Sequence, residues 1–112
     1  MSGTLPYTVF HAKKSYIEKN KDVITKFKNG IQKGLDFIHN NDEETIAKVI
    51  HSEFTSTDFN DLVKVIKRYK DADSWWENTT ISKESYNNLL DLMEYNNVLK
   101  EKIDYNKMVY NE

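Results

Sequence analysis

The run Leu5-Pro6-Tyr7-Thr8-Val9-Phe10 reads as a short buried strand, and nothing after it in the chain does. Val, Phe and Tyr in a brief apolar run favour extended backbone on a packed surface. A single strand cannot satisfy its own N–H and C=O groups, so it needs a sheet supplied from elsewhere. The expected fold class is therefore mostly α: one N-terminal strand followed by about five helices, a piece of something larger. Without the sheet, Val9 and Phe10 must either tuck against the long helix that follows or stand exposed.

Composition narrows the function classes. Of 112 residues, 30% are charged and 38% apolar, a globular mixture rather than a disordered one. The net charge is −2, and lysines and carboxylates are interleaved. No basic stripe tracks a phosphate backbone, which argues against nucleic acid as a partner. Cysteine is absent, which excludes a disulfide scaffold, a thiolate metal site and a thiol nucleophile. The opening Met1-Ser2-Gly3-Thr4-Leu5-Pro6 lacks the charged and apolar regions of a secretory signal. No window reaches the ~18 apolar residues of a membrane span, so the chain as written is expected to stay in the cytoplasm.

Helical punctuation is clear along most of the chain. Ser15 with Glu18 three residues on fits a capping box for a short turn. Asn20 is expected to cap a long helix over 21–39, whose Val23, Ile24, Phe27, Ile31, Leu35 and Ile38 follow the rhythm of one buried stripe. Gly30 and Gly34 share a face and suggest a groove where another backbone packs closely. A third helix is expected to start near Asn41, with Glu44 reaching back to the cap and Ile46, Ala47, Val49 and Ile50 inward. A fourth begins at Thr57 and buries Phe59, Leu62, Val63, Ile66 and Tyr69. The stretch 71–81, with Trp75 and Trp76, reads as a loop. Ser82 caps a fifth helix with Tyr86, Leu89, Leu90 and Met93 inward, and a last short turn falls at 105–110.

Chemistry-bearing patterns are few. His11, His39 and His51 are scattered without metal-ligand spacing; His39 near Asp42 and Glu43 reads as a helix end followed by a cap. No phosphate-binding glycine loop or nucleophile elbow occurs, and no catalytic residue, metal or cofactor is expected. Trp75 and Trp76 read as packing that pins a loop. Tyr7 follows Pro6 at strand entry, a position that often opens on a cleft.

Taken in order, several segments resemble the C-terminal third of an ABC-transporter solute-binding protein. They are Leu5-Pro6-Tyr7-Thr8-Val9-Phe10, Lys13-Lys14-Ser15-Tyr16-Ile17-Glu18-Lys19-Asn20, Arg68-Tyr69-Lys70-Asp71-Ala72-Asp73-Ser74-Trp75 and Ile81-Ser82-Lys83-Glu84-Ser85-Tyr86 with Leu89. The family is the one that includes sulfonate, nitrate, taurine and thiamine-precursor binders, with a two-lobed α/β fold of the type II periplasmic-binding-protein kind. The resemblance implies that 1–112 is a single C-terminal piece: 4–12 the crossover and strand, 13–112 a helical segment of the first lobe. It implies a small solute and an ABC permease as partners of a full-length parent that is extracytoplasmic and membrane-anchored. It places Tyr7 and Thr8 where the crossover passes the ligand cleft. A clamp needs two facing surfaces, so the chain alone is expected to bind no solute, and its uncovered stripes favour self-association. Two other readings stand beside this one: a free-standing helical protein-interaction module, and a piece of an enzyme similar to the thiamine-pyrimidine synthases.

Overall fold

The computed structural model describes residues 3–111. In order come α1 (Lys14–Lys19), α2 (Lys21–Asn40), α3 (Glu43–Ile50), a 3-10 turn (His51–Glu53), α4 (Phe59–Asp71), α5 (Lys83–Tyr95) and α6 (Tyr105–Met108). The mostly helical fold class is as expected. The N-terminal strand is not: among the described residues no strand forms. Residues 5–10 form no regular element and bend at Thr8, with Tyr7 97% and Phe10 74% exposed and Leu5 and Val9 also exposed. The reason is the one the sequence raises, that a lone strand has no ladder to join and every later element is helical.

The chain divides into two compact units, one of residues 20–79 and one that combines 1–19 with 80–112. The first is built on the α3–α4 hairpin. Asp42 caps α3 by accepting from Thr45 N at 2.7 Å, and Asp58 caps α4 by accepting from Asn60 N at 2.8 Å. Each cap lies one residue beyond the expected Asn41 and Thr57, because carboxylates satisfy the first-turn donors and complement the helix dipole. Asn41 instead closes α2, donating from Nδ2 to Phe37 O at 2.8 Å. Glu44 pairs with Lys48 at 3.0 Å rather than reaching back to a cap. Thr57 offers its carbonyl to His51 Nε2 at 3.1 Å, and the His51 ring meets Phe59 edge-on at 5.5 Å.

Ile46, Ala47, Leu62 and Ile66 form the core of this unit, with Phe37, Ile38, Ile50, Phe59, Val63 and Trp75 packed around it. Burying an aliphatic side chain of this size contributes about 1.5–3 kcal/mol. Two expected core residues lie outside it: Val49 is 61% exposed and Tyr69 is exposed. They flank the hairpin seam, which is narrower than the apolar periodicity allows.

Helix α2 departs most from expectation, since none of its 20 residues is buried. Only its C-terminal end, through Phe37 and Ile38, reaches the core. Ile24, Ile31 and Leu35 are half-buried, and Val23 and Phe27 are exposed. The groove expected at Gly30 and Gly34 is empty, because a Cβ added at either would meet nothing within 4 Å. Asn20 makes no side-chain capping bond to α2.

The second unit centres on α5. Ser82 caps it as expected, its Oγ accepting from Ser85 N at 3.0 Å. Tyr86 and Leu90 are buried, and Leu89 and Met93 are half-buried. The Tyr86 hydroxyl donates to Ile103 O at 2.8 Å, and its ring meets Tyr105 edge-on at 5.6 Å. Asp104 caps α6 through Asn106 N at 2.9 Å. Helix α1 starts two residues earlier than a Ser15 cap would place it, at Lys14, so Ser15 falls inside its first turn instead of capping it.

Candidate functional site

Chemistry-bearing side chains gather most densely where α2 and α4 end, within the 20–79 unit. Helix α4 stops because Asp73 takes a left-handed conformation, φ 50°. Ser74 N then returns to Tyr69 O at 3.0 Å and Asp73 N to Lys70 O at 3.0 Å, a C-terminal motif that closes the open carbonyls. The reversal carries Trp75 back over α4, where its ring lies 5.4 Å from that of Tyr69.

Side chains of α2 strap the loop that follows. His39 Nε2 lies 3.3 Å from Trp76 O. Gln32 donates to Glu77 O at 2.9 Å and accepts from Thr79 N at 3.3 Å, while its amide also donates to Asp36 at 2.9 Å. Lys70 reaches across from α4 to donate to Asn41 O at 2.7 Å and lies 3.8 Å from Glu43. A cation at the C-terminal ends of two helices satisfies both free carbonyls and dipoles.

Ile38, His39, Lys70, Asp73 and Trp75 line a partly open hollow of about 70 Å³. Small-molecule sites are commonly about 300–1,000 Å³. The electronegative corner already holds its own cation in Lys70, and the Trp75 face is spent on Tyr69 and the core. The arrangement anchors a loop and does not enclose a solute.

The sequence-derived site residues lie in the other unit. Tyr7 and Thr8 are exposed on the irregular N-terminal stretch, which is tied to α5 where Asn88 Nδ2 approaches Thr4 O at 3.5 Å. Of the residues noted for metal spacing, His39 faces a backbone carbonyl and Asp42 serves as a helix cap. Among the described residues no three His, Cys, Asp or Glu side chains are grouped to hold a metal ion. None of their helices is long and apolar enough to cross a membrane. The expectation for the tryptophans holds for Trp75, which packs on the core, whereas Trp76 is exposed. Gln32 and Lys70 carried no sequence signal, since each looks like one more polar residue on a solvated helix face.

Comparison with known proteins finds similarity along almost the whole chain. The match is to "Putative binding protein YtlA" of Bacillus subtilis (strain 168), 33% identical over 111 residues. It covers 99% of this chain and 33% of the relative, so the chain spans about a third of the length of the protein it matches. The similarity suggests a binding-protein relationship, and the relative's name is that of a binding protein and not of an enzyme. No family model matches the chain, and no solved structure matches it.

Proposed function

We propose that this chain belongs to an ABC-transporter solute-binding protein of the sulfonate, nitrate, taurine and thiamine-precursor class. In this reading it forms part of one lobe, with 4–12 as the crossover between lobes and 13–112 as helical cover. The observation that carries the reading is the match along 99% of this chain to a binding protein about three times as long. The exposed apolar stretch at 5–10 and the lightly covered α2 support it, since both suit a chain that completes its packing on further polypeptide.

The function is capture and delivery, not a reaction: two lobes close on a small anion or vitamin precursor, which then passes to a permease. Tyr7 and Thr8 belong to the wall nearest the solute. The parent protein acts outside the cytoplasm, held at the membrane. The test is a chimera in which this chain replaces the matched third of YtlA. Thermal unfolding is then followed with a sulfonate, taurine, nitrate and an aminopyrimidine. The reading expects the chimera to gain stability from a solute that also stabilises YtlA itself. A folded chimera that no longer responds to a solute that stabilises YtlA counts against it, as does a YtlA that responds to none of the four.

A further inference from the structure

We infer that the exposed strip of Val23, Phe27, Gly30 and Gly34 on α2 is a docking site for an acidic segment of further polypeptide, held at one edge by Lys26 and Lys33. This deepens the binding-protein reading and rests on its premise that α2 completes its packing on more chain. Spacings of four, three and four residues put the strip on one face of the helix. Val23 is 44% and Phe27 45% exposed, and the space over both glycines is open. Ile24, Ile31 and Leu35, on the adjoining sector, are half-buried. The strip is therefore the part of the apolar face left in water.

Charge selects the occupant. Lys26 lies three residues from Val23 and four from Gly30, and Lys33 lies three from Gly30 and four from Phe37, so both border the strip on the same edge. At 1.5 Å per residue they stand about 10 Å apart along the axis. Neither enters an ion pair among the described residues, whereas Lys48, Lys64, Lys67, Lys70 and Lys102 each lie against a carboxylate. A partner with carboxylates along one edge and an apolar ridge beside them fits both features. A second copy of this chain brings the same positive edge instead of a complementary one. A lipid surface fits poorly too: interfacial helices sink a broad apolar face, and here only a narrow strip is open. The open space above two glycines suits the close approach of another backbone.

The test sets the YtlA chimera beside the 112-residue chain, each with Lys26→Glu and Lys33→Glu together. The docking site predicts a larger drop in melting temperature in the chimera than in the chain alone, and a smaller one with Lys26→Gln and Lys33→Gln. Equal shifts in the two backgrounds, or none in the chimera, overturn it. A chimera destabilised in this way that responds to no solute retires the solute reading and leaves the docking site standing. One that responds to a solute but ignores the charge reversal does the opposite. An independent arm titrates the isotope-labelled 112-residue chain with a helical peptide carrying glutamates two turns apart beside a row of leucines. Amide shifts should centre on residues 23–34 and vanish when lysines replace the glutamates. Shifts elsewhere, or none, overturn the site, as does binding of the chain to phosphatidylglycerol vesicles through the same two lysines.

Discussion

The side-chain amide of Asn111 brackets the backbone of Ile81, donating from Nδ2 to its carbonyl at 3.0 Å and accepting from its N–H at 3.3 Å. A residue next to the end of the chain thus fixes the approach to α5, much as a neighbouring strand would. The Tyr105 hydroxyl bonds to the same amide and to the same carbonyl. Asn111→Ala removes both halves of the bracket from a half-buried site and is expected to cost about 1–3 kcal/mol. Asn111→Asp keeps the acceptor but loses the donor, and should cost as much. Urea unfolding gives the loss, and faster amide exchange at Ile81 localises it.

Ile66 is 2% exposed at the centre of the α3–α4 core, whereas Val49 on the same hairpin is 61% exposed. Ile66→Ala should cost about 2–5 kcal/mol, through lost burial and the cavity left behind. Val49→Ala should stay within about 0.5 kcal/mol. Similar losses at the two sites would mean that the α3 stripe is covered where the structure leaves it open.

Gly30 and Gly34 sit in helical backbone with open space over both. In this chain, Gly30→Ala and Gly34→Ala should each stabilise α2 by up to about 1 kcal/mol, the propensity difference between the two residues. Where further polypeptide packs on that face, the same changes should be neutral or destabilising. Melting temperatures of the chain and of the YtlA chimera, each with both variants, make the comparison.

Asp42 accepts a hydrogen bond from the Thr45 backbone N–H, and this bond is the main reason its carboxyl is held below the ordinary value of 3.8. A lowered folded pKa means that the unfolded chain takes up the proton first. The capping contribution is therefore complete above the unfolded value and is lost as pH falls through the folded one. Asp42→Asn should flatten the acid limb of α3 helicity measured by circular dichroism.

At Lys102 the sign reverses. Its hydrogen bonds to Asp91 at 2.6 Å and to Glu94 at 2.9 Å raise its pKa above 10.5. That contribution persists through neutral pH and disappears as pH rises past the raised value. An alkaline titration of Lys102→Gln beside the parent chain should show the late loss only in the parent.

Where the sequence read correctly, local chemistry sufficed. Ser82 announces α5 because its hydroxyl meets a donor three residues on, and Ile46, Ala47, Leu62 and Ile66 follow a helical period that tertiary packing confirms. The failures share one cause. The run 5–10 has the composition of a strand, but a strand is a property of at least two segments, and this chain offers one. The α2 stripe has the period of a buried face, but periodicity cannot say whether the cover lies in the same chain. Asn41 and Asp42 are both good caps, and their roles separate only in the structure, where the Asp42 carboxylate takes Thr45 N and the Asn41 amide turns back to Phe37 O. The tryptophan loop was legible as a loop; its straps, Gln32 and His39, lie more than thirty residues away from it and were not.

In the proposed clamp a solute is held between two facing walls, of which this chain would supply one at most. Isothermal titration of the 112-residue chain alone, with the same four solutes, tests that most directly. The prediction is no binding heat at solute concentrations up to the millimolar range. Saturable binding by the isolated chain with a micromolar Kd would contradict it, and would make this chain a site in its own right.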